Sequence, residues 1–513
     1  MKVNRSSMLY GTLVLTGTSI VSQLLGFVYR IFLSRLIGAE VMGLYQLIMP
    51  VYSVIMALTV VGLTVSVSNL SAKYHALGNR RAIVQVLRRC VGAFLVLFSL
   101  VAGVTILFYD PISVYLLGDA RTQTGLILLL PCILLTGIEN LHKHYFYGTG
   151  NVRPAAVTEL AEQFIRTGAV LGLLLFFLPQ SPEKVVALIV IGMCVSEIYS
   201  SITQVFLFKR HMRRADGLPG PGESSRALNK GILSIALPIA LTSLLGNLMA
   251  SANAVMIPQR LVATGMDVSK AMSAFGVICG MTVPMLCLPT AFIGALGLVL
   301  VPKLAESMAL KRMDQARRRI HKSLLATSVL TMPAMALMVV LGPTIGVYLF
   351  KEPTVGNFIV PLSVAVLLTC YESVLAGTLN GVGKQAAAAR TSLFCGGVQL
   401  VLTYVLMGMP GVGLGGYVAG LLVSTVLGVL IRWFQVRRAT KLKLELFQWC
   451  TAPALSSILM GLVVNLLFHF LMNSGVDGVL NCVACILFGG VLYLAALNAQ
   501  GVHPTEIFRI QNK

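Results

Sequence analysis

The sequence predicts an all-α polytopic membrane protein of about fourteen transmembrane helices, and three observations predict it. Hydrophobic residues make up 57% of 513 and charged residues only 11%, with a mean hydropathy of +0.86, a balance that soluble domains of this size do not carry. Apolar runs of about 20 residues, the length that crosses a hydrocarbon core, recur between charged or Gly/Pro-rich breaks. Lys and Arg collect in alternate breaks, as they do in the cytoplasmic loops of multi-pass proteins.

The spans follow in order. The first, 9–33, opens after the basic Met1-Lys-Val-Asn-Arg5 and closes before Arg35 and Gly38; the second, 41–68, ends before the basic loop with Lys73, Arg80 and Arg81. The third, fourth, fifth and sixth are 90–109, 122–145, 154–178 and 185–208, separated by Asp110-Pro111, Gly148-Thr-Gly150 and Pro179-Gln-Ser-Pro182 and closed by Lys209. The seventh and eighth, 231–255 and 272–301, flank a stretch holding Arg260 and Lys270. In the eighth, Pro284, Pro289 and Pro302 with Gly280, Gly294 and Gly297 predict kinks. The ninth to twelfth are 323–349, 356–380, 388–408 and 412–433, and the last two are 450–472 and 478–497; the narrowest breaks are 409–411 and 473–477.

The N-terminus and every second loop carry 2, 5, 2, 6, 7, 2 and 5 Lys plus Arg, with 2 more in the tail, a total of 31 against 6 in the opposite loops. Both termini are therefore expected in the cytoplasm. The net charge of +21 reads as topology and contact with anionic membrane lipids, not nucleic-acid binding. Lys209-Arg-His-Met-Arg-Arg214 and Arg317-Arg-Arg319 read as solvated cytoplasmic faces. The apolar run after Arg5 is too long for a signal peptide and lacks a small-residue cleavage site. All ten cysteines fall in or beside spans, which argues against a disulfide framework or a metal site, and Cys482-x-x-Cys485 reads as two small packing residues.

The chain repeats itself. Gly11 and Gly26 are matched by Gly231 and Gly246 at an offset of 220, and Ser22-Gln-Leu-Leu-Gly26 by Thr242-Ser-Leu-Leu-Gly246. Glu139 with Gly148-Thr-Gly150 is matched by Glu372 with Gly381-Val-Gly383 at an offset of 233. A duplicated six-helix unit predicts two parallel six-helix lobes around a central cavity, related by an axis along the membrane normal, plus two C-terminal helices. The expected boundaries are 1–208 for the N-terminal lobe, 209–230 for a cytoplasmic linker containing Gly217-Leu-Pro-Gly-Pro-Gly222, 231–434 for the C-terminal lobe, and 435–513 for the last two helices and a cytoplasmic tail.

Gly26-Phe-Val-Tyr-Arg30-Ile-Phe-Leu-Ser-Arg35-Leu-Ile-Gly38-Ala-Glu40, followed by Gly43-Leu-Tyr45-Gln, resembles the opening of the stage V sporulation protein B family, a branch of the multidrug, oligosaccharidyl-lipid and polysaccharide exporter superfamily. Tyr147-Gly-Thr-Gly-Asn-Val-Arg-Pro154, Leu288-Pro-Thr and Leu300-Val-Pro302 are similar too, so the resemblance extends over most of the chain. It implies a fourteen-helix flippase for an undecaprenyl-diphosphate-linked glycan, with a peptidoglycan precursor of the spore cortex as cargo and the lipid tail against the last two helices. Related lipid II flippases gather cavity arginines from helices one, two and eight. Here helix two has none and helix eight offers Met285 and Leu286, which leaves Arg30 and Arg35.

Charge within the spans nominates the site residues. Arg30 lies about 12 Å inside the end of its helix marked by Gly38, where a guanidinium costs about 2.5 to 3.5 kcal/mol on insertion scales. It is either a ligand for diphosphate oxygens, which its planar fork matches, or the partner of a helix carbonyl or a carboxylate such as Glu40. Arg35 is the second candidate ligand, within snorkelling reach of the outer interface. Helix five carries Glu159, Glu162 and Arg166 on one face, and Glu197 of helix six lies at similar depth. Glu162, Arg166 and Glu197 are expected to form an ion pair, or a gate or proton-coupling element, with the repeat-related Glu139 and Glu372 as further coupling candidates. Asn247, Asn253 and Asn380 are candidate oxygens for a sodium site or, more plainly, interhelical hydrogen bonds.

No cofactor and no enzymatic activity are expected. A phosphate loop is missing, since Gly383-Lys384 is followed by Gln385 and Thr378 stands where its first glycine belongs. An inside-negative potential favours outward movement of an anion by about 2.3 kcal/mol per charge per 100 mV, roughly 4 to 5 for a diphosphate with two net charges. A Na+ or H+ gradient is the other candidate drive. Two further functions fit the sequence: a cation- or proton-coupled multidrug antiporter, for which acidic residues would be central and Arg30 dispensable, and a non-transporting scaffold for cell-wall synthesis. Cell-wall polymerases are candidate partners.

Overall fold

The computed structural model describes residues 8–177, 179–214, 220–442, 447–475 and 477–502. Expectations attached to Met1–Arg5, to residues 215–219 of the linker and to the tail at 503–513 lie outside the described residues. Among the described residues there are helices and turns and no strand. The principal helices are α1 (Met8–Met56), α2 (Gly62–Ala76), α3 (Arg80–Leu107), α4 (Gln123–Gly148), α5 (Arg153–Phe177), α6 (Pro182–Arg214), α7 (Ser225–Ala263) and α8 (Val268–Phe275). They are followed by α9 (Thr290–Ala309), α10 (Met313–Phe350), α11 (Ile359–Gly381), α12 (Gln385–Met407), α13 (Leu414–Thr440), α14 (Ala452–Asn473) and α15 (Gly478–Ala499).

Thirteen helical stretches among the described residues are long and apolar enough to cross a membrane. The first, Thr16–Ala76, has 61 residues, about three times what one crossing takes, so it holds the first two expected spans. They meet at Gly38, whose φ of 74° and ψ of 178° break the helix and suit glycine, which has no Cβ to clash. The narrow breaks are real: Met407 and Leu414 bound one, with Gly411 and Gly413 at positive φ, and Asn473 and Gly478 bound the other, with Gly475 at positive φ. The eighth span is interrupted as its prolines predict. A π-helical turn over Gly276–Thr282 and a short helix over Val283–Leu286 precede a turn at Cys287–Pro289 and then α9. Pro284 and Pro289 have no N–H with which to continue the ladder.

The chain divides into two compact units, Met1–Gly276 and Val277–Lys513. The division falls after α8, not in the linker where the repeat begins its second copy. The reason is close packing of α7 and α8 on the first helices. A Cβ at Gly62 of α2 would collide with the Ala236 carbonyl of α7, and one at Gly43 of α1 with the Met272 carbonyl of α8. Small residues at these crossings let backbones touch, which supplies helix contact where lipid offers no hydrophobic drive. Ser66 adds a hydrogen bond to the Ile232 carbonyl at 3.3 Å, and the Arg89 guanidinium reaches Ser225 Oγ at 2.6 Å and Asn229.

In the second unit, α14 and α15 pack on each other and on α10. Met460, Val464 and Phe468 share a core with Leu324, Tyr493 and Leu497. Trp449 fixes the entry to α14: its Nε1–H donates to His321 Nδ1 at 2.8 Å and its ring meets Trp433 edge-on with centroids 5.6 Å apart. The ten cysteines are free, and Cys485 donates its S–H to Asn481 Oδ1, which agrees with packing roles.

Candidate functional site: buried charge clusters at membrane depth

In the first unit, α5 and α6 approach closely because Gly192 has no side chain; a Cβ there would sit 2.8 Å from Val170 Cα. One turn before Val170 on α5, Arg166 faces α6. Its Nη2 donates to Glu162 Oε1 on its own helix and to Glu197 Oε1 on α6 at 2.7 Å, and its Nε to Ser196 Oγ at 3.3 Å. Ser200 donates to the other oxygen of Glu162 at 3.2 Å. Glu162 and Glu197 are buried, and Arg166 is 20% exposed. Each expected member of this group is therefore in place, and one guanidinium serves two carboxylates on different helices.

Glu139 of α4 joins them. One carboxylate oxygen from each of Glu139, Glu162 and Glu197 lies within 4.8 Å of the others. Lys143, one turn along α4, stands 3.0 Å from Glu159 of α5 and 3.7 Å from Glu139. Lys143 was counted among cytoplasmic charges by its position at the end of the fourth span, yet its side chain is only 13% exposed. The i,i+4 spacing from Glu139 is the signal that marks it. Four carboxylates thus share two cations.

The second unit holds a simpler arrangement. Arg432 of α13, 3% exposed, donates to Glu372 of α11 and, at 2.6 Å, to Ser392 of α12. Gly428, one turn before Arg432, leaves the slot through which Glu372 reaches it, since a Cβ there would collide with the carboxylate. The pair borders a cavity of about 410 Å³ lined by Thr369, Ser392, Gln399 and Ser424. Arg432 is the last residue but one of the expected span 412–433, at the edge of the basic loop; α13 continues to Thr440 and buries it.

Arg30 lies on α1, partly buried, and no described residue forms an ion pair or hydrogen bond with its guanidinium. Glu40, the carboxylate that could have neutralised it, is engaged instead by Arg121 at 2.6 Å, which also binds Asp119 at 2.7 Å. Tyr29 and Tyr45 of α1 lie within electrostatic reach of both Arg30 and Arg166, so Arg30 is near the α5 arginine without sharing its carboxylates. Arg35 is exposed.

The asparagines do not converge. Asn247 is partly buried and turns its amide back onto its own helix, donating to the Ser243 carbonyl at 2.8 Å. Asn253 is buried with its Oδ1 lacking a hydrogen-bond partner among the described residues. Asn380 is exposed at the end of α11.

Long apolar helices bent at glycine and proline, with ion pairs buried within them, define a polytopic helical membrane protein. The chain superposes on a structure of the lipid II flippase MurJ in an inward closed conformation with a TM-score of 0.68 at 12% identity, covering 95% of this chain and 98% of that one. The chain belongs to the polysaccharide biosynthesis protein family, whose pattern matches residues 8–308. It is 23% identical to stage V sporulation protein B of Bacillus subtilis (strain 168) over 496 residues, covering 96% of this chain and 95% of that protein. It is 22% identical to the lipid II flippase MurJ of the same organism over 459 residues, covering 82% of each.

Proposed function

We propose that the protein is a flippase that carries an undecaprenyl-diphosphate-linked glycan, a peptidoglycan precursor, across the membrane by alternating access of its two repeat-related lobes, with both termini cytoplasmic. The observation that carries this reading is the Arg30 guanidinium, kept inside the first membrane span with no ion-pair or hydrogen-bond partner among the described residues while Glu40, the carboxylate the sequence offers it, is bound by Arg121. A charge held there without a carboxylate repays its cost of insertion when an anion visits it. A guanidinium suits a diphosphate because it stays ionised and donates in parallel to two oxygens. Arg35, exposed toward the end of the same span, would meet the anion near the outer interface. Kinship with a lipid II flippase and a sporulation protein supports a lipid-linked cargo over a drug.

The test is reconstitution of the purified protein in vesicles with labelled lipid-linked precursors of different head groups. Arg30→Ala is expected to lower the flipping rate by about tenfold or more, the value of one charge-assisted hydrogen bond to a charged group, with little change in melting temperature because no ion pair or hydrogen bond with a described residue is lost. Arg30→Lys should recover part of the rate. Unchanged flipping by Arg30→Ala would remove the diphosphate-ligand role, and no flipping of any lipid-linked precursor by the unmodified protein would remove the flippase reading.

A further inference from the structure

The α4–α6 cluster is short of positive charge. Glu139, Glu159, Glu162 and Glu197 face Lys143 and Arg166. The other polar groups turned toward it add no cation. Tyr29, Tyr45 and Tyr52 of α1, Cys132 of α4 and Cys194 of α6 are close enough to interact electrostatically with its members or with one another, and all are neutral in their ordinary forms near pH 7. Ser196 and Ser200 offer hydroxyls already bonded to Arg166 and Glu162, and Arg30 makes no ion pair with these acids. Glu139 is 3% exposed and Glu197 2%. Glu139 Oε1 makes no hydrogen bond and has Lys143 at 3.7 Å, while Glu197 Oε2 is buried with no hydrogen-bond partner among the described residues.

Three buried carboxylates so close together, facing Arg166 and a Lys143 that Glu159 also engages, cannot all remain ionised, because each like charge penalises the next. Leaving a buried carboxylate oxygen unpaired adds the full loss of its hydration. A bound cation relieves both penalties. We infer that Glu139, Glu162 and Glu197 form a loading site for one monovalent cation, either H+ or Na+. A proton placed on one carboxylate turns an acceptor into an O–H donor that its neighbour can accept. Oxygens within 4.8 Å of one another leave room for a sodium ion between them at about 2.4 Å from each, the distance at which hard cations of that size bind oxygen. Because Arg166 holds carboxylates on both α5 and α6, loading changes how firmly those helices are tied. The site stands on the charge balance of these residues alone and holds whether or not the cargo is a lipid-linked glycan.

The experiment uses the full-length protein in detergent or nanodiscs and needs no transport. In sodium-free choline buffer, proton uptake is followed with an indicator dye as pH is lowered; separately, 22Na+ binding is measured by scintillation proximity at several pH values. The expected result is about one 22Na+ per chain, displaced by protons, if sodium is the ligand, or, with no 22Na+ signal, about one more proton taken up per chain by the unmodified protein than by the glutamine variants if the proton is. Glu139→Gln and Glu197→Gln should each weaken apparent affinity or shift the uptake midpoint by about tenfold, about one pH unit. Glu197→Asp should retain binding in weakened form, and Glu306→Gln should match the unmodified protein. Gel-filtration profiles and melting curves establish that each variant is folded. Uptake and binding unchanged in both glutamine variants, or neither ion taken up by the unmodified protein, would overturn the inference.

Discussion

The α4–α6 and α11–α13 bundles, which the sequence repeat makes counterparts, solve the problem of buried charge differently. At the repeat's offset of 233, Glu139 corresponds to Glu372, while Glu159, Glu162 and Arg166 fall on Ser392, Cys395 and Gln399. The first copy has accumulated charge on its middle helix. In the second, the middle helix offers a hydroxyl, a thiol and an amide, and the arginine sits on the third helix as Arg432. The second cluster is balanced, one Arg to one Glu, with Ser392 as an extra acceptor. The first is not. A balanced pair is sufficient to brace helices, whereas an excess of acid calls for a mobile cation, so the difference assigns bracing to one bundle and loading to the other.

The comparison can be broken by mutation. The largest effect is expected from Arg166→Met, which leaves Glu162 and Glu197 buried without their cation and should destabilise the protein by about 3 to 5 kcal/mol, read as a fall in the melting temperature of the solubilised protein. Adding Glu162→Gln and Glu197→Gln to that change should restore most of the loss; no recovery would mean that Arg166 acts through packing. Arg432→Met should cost less, about 1 to 3 kcal/mol, because the Glu372 side chain is 20% exposed and water compensates part of the lost partner. The double change Arg432→Met with Glu372→Gln is expected to lie near the unmodified protein, as balanced pairs usually do when replaced whole. A melting curve as low as that of Arg432→Met alone would show the second bundle to be more than a brace. The smallest effect belongs to Glu40→Gln, which leaves Arg121 its bonds to Asp119: the Arg121–Glu40 pair is 30% exposed on both sides and should contribute at most about 1 kcal/mol, falling with added salt.

Much of this was legible in the chain because membrane burial makes charge conspicuous. Glu159, Glu162 and Arg166 were readable as one face from their spacing, Glu197 from its depth, and Glu139 and Glu372 from the repeat. Gly38, Pro284 and Pro289 marked the breaks that the helices show. What escaped was the identity of partners. Lys143 and Arg432 stand in the last residues of the spans 122–145 and 412–433, where hydropathy cannot distinguish a buried cation from one that reaches the adjoining loop. The Arg121–Glu40 pair joins residues far apart in sequence, and no local pattern announces it. The position of α7 and α8 in the first unit follows from backbone approach at Gly43 and Gly62, which is a property of three-dimensional packing that a repeat boundary does not express.

Gly38 has a mechanical consequence. It makes an elbow in one long rod, with Arg30 on the arm before it and Glu40 two residues beyond, tethered by Arg121 to the short turn at Ala120–Thr122. With the far arm moored, a swing about the elbow displaces Arg30, at a lever length of about 12 Å, far more than it displaces Glu40.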